Sequence, residues 1–193
     1  GPAFFPRMLQ AIDQASMTID LEMYLVCSGA CANALIESLE RATQRGVQVR
    51  CLLDDFGCRG LLLADRQRLL RVGISLRWYN PLGWGHGLRN LYRDHRKLLL
   101  IDADLGYVGG AGVTDAFWRP GQEQSDWHEV MVEQRGPILA DWQRLFDVQW
   151  QACATKKAWR VDTPTVAQRL PAIPHQGSGW GRVAYASARE HRD

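Results

Sequence analysis

The chain has 193 residues, 46% hydrophobic and 23% charged, with a formal net charge of +2. That length supports one soluble α/β domain with a sizeable core. No apolar run approaches a membrane span, and the near-neutral charge disfavours a duplex-binding protein, which usually carries a strong basic excess. Cys27, Cys31, Cys51, Cys58 and Cys153 are an odd set without metal-ligand spacing. They read as free thiols in a reducing compartment, with no metal and no cofactor expected.

Residues 4–15 place Met8, Leu9, Ile12 and Ala15 at helical spacing. Residues 17–25 then alternate, with Ile19, Leu21, Met23 and Leu25 on one face and Thr18, Asp20, Glu22 and Tyr24 on the other. A second helix is predicted over 32–45, ended by Gly46, and a buried strand over 47–53 that delivers Asp54-Asp55. A third helix over 61–72 closes at Gly73, and a third strand covers 74–79. Strands alternating with helices argue for a largely parallel sheet covered on both faces.

Residues 80–92 form a loop rich in Gly, Pro and aromatics. Residues 93–110 read as a short polar lead-in, an apolar strand, a turn at Asp102-Ala103-Asp104 and a second strand ending in Gly109-Gly110. Another strand is predicted over 128–134, and Pro137 opens a long amphipathic helix through Trp150. After Gln151 the periodicity stops and Pro164, Pro171 and Pro174 appear. Residues 1–151 are therefore predicted as the domain, and 152–193 as a linker with at most one short strand near 181–185.

His95 and Lys97 are two apart, which on a strand puts both on one face. Imidazole can attack phosphorus, and an ammonium can hold the charge of the non-bridging oxygens, so the pair suits phosphoryl chemistry. Asp102 is an odd number of residues from both and would point to the opposite face. The loop before them interleaves His86, Arg89, Arg93 and Arg96 with Trp84, Leu88 and Tyr92. That mixture suits an anionic lipid surface, and also single-stranded nucleic acid. Trp84, between glycines, is the best candidate for a membrane-facing side chain.

His-x-Lys, four residues, Asp, then six residues and Gly-Gly resembles the signature of the phospholipase D superfamily. The resemblance is nearest to the bacterial cardiolipin synthase branch. It extends over Leu21-Glu22-Met23-Tyr24, Arg45-Gly46-Val47 into Leu53-Asp54, Tyr79-Asn80-Pro81, Gly109-Gly110-Ala111-Gly112 through Asp115, and Gly136-Pro137 with Phe146 and Trp150. It implies an α/β half with a mixed, largely parallel sheet and helices on both faces. Enzymes of that branch carry the motif twice. One copy is present here, and residues 181–187 resemble the start of a second half, so the chain looks like a first half plus the connecting linker.

The resemblance further implies a phosphatidyltransferase that joins two phosphatidylglycerols and releases glycerol through a phosphohistidine. The alternatives are a phospholipase D-like phosphodiesterase or nuclease working as a homodimer, and a non-catalytic lipid-binding half. The implied catalytic set is His95, Lys97, Asp102 and Glu129, with Gly109, Gly110, Thr114, Glu22 and Arg93 at the substrate. His95 is either the nucleophile or the acid that protonates the leaving alcohol. Asp102 belongs to the motif, while its parity suits a brace. Glu129 in Trp127-His128-Glu129 matches the carboxylate that orients the imidazole, and its register favours it over Asp126. Gly110 and Gly112 stand where many members have Ser and Asn, leaving phosphate binding to backbone N–H groups or Thr114. The implied partners are an anionic phospholipid and a second motif-bearing half or second copy, with nucleic acid disfavoured. The implied location is peripheral, at the cytoplasmic face of the cell membrane.

Overall fold

A computed structural model of the chain describes residues 1–84, 87–124 and 127–154, without the side chain of Arg89. The predicted linker beyond residue 154, His86 and Asp126 lie outside the described residues. The elements run α1 (Phe5–Gln14), β1 (Thr18–Met23), α2 (Ala30–Gln44), β2 (Gln48–Asp54), α3 (Leu63–Arg71) and β3 (Ser75–Tyr79). A 3-10 turn (Gly87–Leu91) follows, then β4 (Lys97–Ile101), β5 (Leu105–Gly109), β6 (Met131–Gln134) and α4 (Ile138–Ala154).

The ends of α2 and α3 show why the alternation starts where it does. After α2 the N–H of Gly46 donates to Thr43 O and that of Val47 to Ala42 O, at 2.9 and 3.1 Å. After α3 the N–H of Gly73 donates to Leu70 O and that of Ile74 to Leu69 O, at 3.1 and 3.3 Å. Both glycines are left-handed, with φ of 88° and 84°. Each satisfies the last carbonyls of its helix and turns the chain straight into the next strand.

The six strands form one sheet in the order β3-β2-β1-β4-β5-β6. β1 pairs in parallel with β2, and β2 with β3. β4 lies antiparallel to β1, β5 to β4, and β6 to β5. The sheet is mixed, with a parallel half built from the alternating units and an antiparallel half built from the motif hairpin. The parallel share is smaller than the alternation of strands and helices predicts, because the hairpin joins beside β1 through a two-strand meander and not through a helix crossover.

One face of the sheet packs Ile19, Leu21, Met23, Val49, Cys51 and Leu99 against α1 and α2. On the other face Leu52, Leu98 and Leu100 pack against Leu139, Phe146 and Trp150 of α4. Both faces of β1 are therefore buried, and its polar residues need partners. Asp20 takes a two-pronged contact from Arg50 at 2.6 Å and an amide from Gln143 at 2.7 Å, and Arg50 reaches on to Asp147 at 2.8 Å. Arg50 also lies over the rings of Phe146 and Trp150, so one guanidinium links β2, β1 and α4.

Candidate active site

The site lies along one rim of the sheet, where β1 ends, β4 begins and β5 ends. Met23 is opposite Lys97 in the register, and Tyr24 N–H donates to Arg96 O at 3.1 Å. Farther along, Gly110 N–H donates to Val130 O at 3.1 Å. Tyr24, Lys97, Gly110 and Glu129 thus follow one another across neighbouring strands.

His95 sits on the exposed approach to β4, and its ring stacks on Tyr24 with centroids 3.9 Å apart and planes 20° apart. Lys97 Nζ lies 5.1 Å from the centroid of that same ring and donates to the carbonyl of His95 at 2.7 Å. Burial lowers the Lys97 pKa from its ordinary value, with Asp94 and Glu129 opposing the shift. Glu129 is exposed, and its carboxylate stands over Gly110 where a Cβ would be. Imidazole, ammonium and carboxylate therefore share one open surface. Among the described residues no group of three or more His, Cys, Asp or Glu side chains is arranged to hold a metal ion.

Other sequence-predicted residues go elsewhere. Asp102 sits in the turn after β4, five residues along from Lys97 and so roughly 17 Å away at a strand's rise. Its carboxylate accepts the N–H groups of Ser16, Met17 and Thr18, each at 2.8 Å, and the Ser16 hydroxyl at 2.9 Å. It is a clamp on the turn between α1 and β1, far from the imidazole. Arg93 is turned inward: its side chain is 8% exposed, 3.5 Å from the fully buried Asp54 carboxylate, and it donates to Asn80 O at 3.0 Å. Arg93, expected at the substrate, therefore directs its guanidinium into the domain and not onto the surface that carries His95. Arg96, expected in a basic outer loop, likewise turns in to Glu22 at 2.7 Å.

Glu22, expected at the substrate, is buried beneath the rim that carries His95. It forms a cluster with Arg96 and Asp94, whose carboxylate accepts the Arg96 N–H at 3.1 Å. Burial, then Asp94, push the Glu22 pKa well up, and Arg96 only partly offsets them. Burial also disfavours ionised Asp94, but the polar contact with Glu22 and then the charge of Arg96 prevail and hold its pKa below the usual carboxylate range.

Gly109 and Gly110 border the site, yet the Gly110 N–H is used in pairing with Val130, so it is not free for a phosphate oxygen. A Cβ on Gly109 would overlap the Val130 carbonyl, which is why β6 can come so close. Thr114 is buried in the following turn, where its carbonyl accepts Phe117 and Trp118 N–H groups at 3.1 and 3.3 Å. His128 is exposed.

Sequence reasoning missed Asp94 and Arg96 as the support under His95. The available signal was alternation, since Asp94, His95 and Arg96 send side chains in, out and in.

The family model for the cardiolipin synthase PLD-like domain matches residues 8–150. A cardiolipin synthase of Oceanobacillus iheyensis is 30% identical over 150 residues, covering 78% of this chain and 31% of its own length. Cardiolipin synthase B of Salmonella typhi is 31% identical over 199 residues, covering 100% of this chain and 46% of its own. The chain spans about a third to a half of the length of these relatives. The fold is that of Nuc, a phospholipase D family member from Salmonella typhimurium, with a TM-score of 0.54 at 22% identity over 78% of this chain and 86% of that one. It is also found in the phosphatidylserine synthase of Haemophilus influenzae, with a TM-score of 0.59 at 14% identity over 79% of this chain and 35% of the other. Because the family match takes in every residue of the site from Glu22 to Glu129, the chain belongs to the family of cardiolipin synthase PLD-like domains.

Proposed function

We propose that this domain is one half-site of a phosphatidyltransferase of cardiolipin synthase type. The observation that carries the reading is the family match across residues 8–150, which frames the surface shared by His95, Lys97 and Glu129. In the proposed cycle an imidazole nitrogen attacks the phosphorus of one phosphatidylglycerol. The P–O bond to glycerol breaks, and a second imidazole across the phosphate protonates the leaving oxygen. A hydroxyl of a second phosphatidylglycerol then attacks the phosphohistidine, returns its proton to that second imidazole, and breaks the P–N bond. His95 fills one of the two roles. Lys97 holds the non-bridging oxygens, and Glu129 steadies the imidazolium.

The second imidazole comes from another motif-bearing half or from a second copy of this chain. Peripheral contact with an anionic phospholipid surface is supported by the loop before β4. Trp84, Leu88 and Leu91 are all strongly exposed there, and the last two are three apart on the 3-10 turn and share a face. Arg93 and Arg96, turned inward, do not add their charge to that contact. The cysteines are unpaired, which supports the cytoplasmic face.

A homodimeric phosphodiesterase is the second reading. It is favoured by the fold match over 86% of the Nuc chain, where one such unit makes up most of the protein.

The test incubates the chain, alone and mixed with a separately made second motif-bearing half, with phosphatidylglycerol vesicles and with single-stranded DNA. Cardiolipin and glycerol are expected from the assembly and not from a monomer, with His95→Asn abolishing both products while the protein stays folded. Cleavage of DNA with the lipid untouched would replace this reading with the second. Robust transfer by a strict monomer would overturn the half-site.

A further inference from the structure

Tyr24 follows β1 directly, and its place is set by contacts on several sides. Its N–H donates to Arg96 O at 3.1 Å, so it is tied to the backbone between His95 and Lys97. Its carbonyl receives the Cys58 thiol at 3.4 Å. Gly57 presses so close that a Cβ there would overlap the Tyr24 carbonyl and crowd the ring edge. The ring is therefore fixed by β1, by the loop after β2 and by the approach to β4.

Both motif side chains use that fixed ring. His95 lies flat on it at 3.9 Å, and the Lys97 ammonium is 5.1 Å from its centroid. His95 is exposed, and an exposed imidazole rotates freely about two side-chain bonds unless something restrains its plane. A phosphoryl-transfer nucleophile or acid loses rate steeply when its angle wanders. The negative face of an aromatic ring also attracts a cation, so it favours the ammonium of Lys97 and the imidazolium that forms during reaction.

We propose that Tyr24 is a positioning residue for this site: its ring is one aromatic platform that orients the His95 imidazole and gathers the Lys97 ammonium beside it. The ring face does this, and the phenolic hydroxyl is dispensable. The inference rests on the proposed function only for the identity of the reaction, because the platform is a property of the chain itself.

The experiment reads the side chains of the chain by NMR, without substrate. In the wild type, NOEs should connect the His95 imidazole protons to the Tyr24 ring, and the His95 signals should be displaced upfield by ring current. Tyr24→Phe should keep both features, whereas Tyr24→Leu should return the His95 signals toward solvent-exposed values. In the assembled enzyme, Tyr24→Phe should keep kcat within about threefold. Tyr24→Leu should lower kcat by about tenfold or more, with KM changed less than about threefold. Absence of the NOEs in the wild type would overturn the proposal without any variant. Equal damage from Phe and Leu would overturn it too, by showing that the hydroxyl matters. If the substrate proves to be something other than phosphatidylglycerol, the NMR result still stands, so the two readings fail separately.

Discussion

Asp102 receives both the amide and the hydroxyl of Ser16, at 2.8 and 2.9 Å, and so ties the far end of β4 to the turn that starts β1. Its second oxygen takes the N–H groups of Met17 and Thr18, and its own N–H returns to Thr18 O at 2.9 Å. Burial opposes ionisation, but the N–H groups of Thr18, Ser16 and Met17 outweigh it and hold the carboxyl below its usual range. A depressed folded pKa contributes stability that is complete above the unfolded value of about 3.9 and is lost as pH falls through the folded value. Asp102→Asn tolerates the left-handed backbone (φ 52°) but brings an amide to a cluster of donors. It should cost about 1–3 kcal/mol at neutral pH, and less near pH 3, by urea unfolding. The folded variant should keep kcat within a few-fold, and a well-folded but inactive Asp102→Asn would give the residue back to the chemistry.

Much of the fold was legible because its signals are local. Gly46 and Gly73 end their helices through contacts within six residues, and the alternation of β1 shows its phase directly. The fates of Asp20, Arg93 and Arg96 were not legible, because a charged side chain on a strand face or in a loop reads as solvated until its cover is known. The cover for Asp20 is α4, whose Gln143 lies 123 residues away in sequence. Arg93 reads as a surface cation for the same reason, since Asp54 is 39 residues before it. The Gly110 N–H looked available because β6 has only four residues and a weak pattern, yet β6 is what occupies it.

Glu22 supplies the opposite pH signature to Asp102. Burial and Asp94 raise its carboxyl well above the usual range, and neither of its oxygens has a hydrogen bond of good geometry although Arg96 is 2.7 Å from one. A raised folded pKa gives stability that is complete below the unfolded value of about 4.3 and is lost as pH rises through the folded value. Glu22→Gln keeps the shape of the side chain and removes its titration. Its Tm should match the wild type near about pH 4 and exceed it increasingly toward about pH 9. A variant less stable by a constant margin across that range would mean that Glu22 is ionised against Arg96.

Arg93 should behave as a structural residue. Its guanidinium faces Asp54, whose other bonds come from the N–H groups of Phe56, Gly57 and Asp94 at 3.0, 2.8 and 3.0 Å. Arg93→Ala leaves that buried carboxylate without its cation and should destabilise the domain by about 3 kcal/mol. Below its Tm, KM for phosphatidylglycerol should stay within about threefold, since no contact with substrate is lost. A large rise in KM with unchanged stability would mean that Arg93 turns outward to bind phosphate.

Gly110 gives a way to move Glu129 without altering it. A Cβ at Gly110 would occupy the space of the Glu129 carboxylate, which is the far end of a flexible side chain. Gly110 is not among the residues with positive φ, so alanine meets no backbone strain there. Gly110→Ala should therefore fold with a loss of less than about 1 kcal/mol while swinging the carboxylate off its position. Glu129 also opposes the lowering of the Lys97 pKa by burial. Moving it away lowers that pKa further, so the alkaline limb of the pH–rate profile should shift to lower pH. We expect kcat to fall about tenfold, close to the effect of Glu129→Gln, and the double variant to be no worse than Glu129→Gln alone. Additive losses, or full activity in Gly110→Ala, would show that the carboxylate over Gly110 is not the one that serves the imidazole.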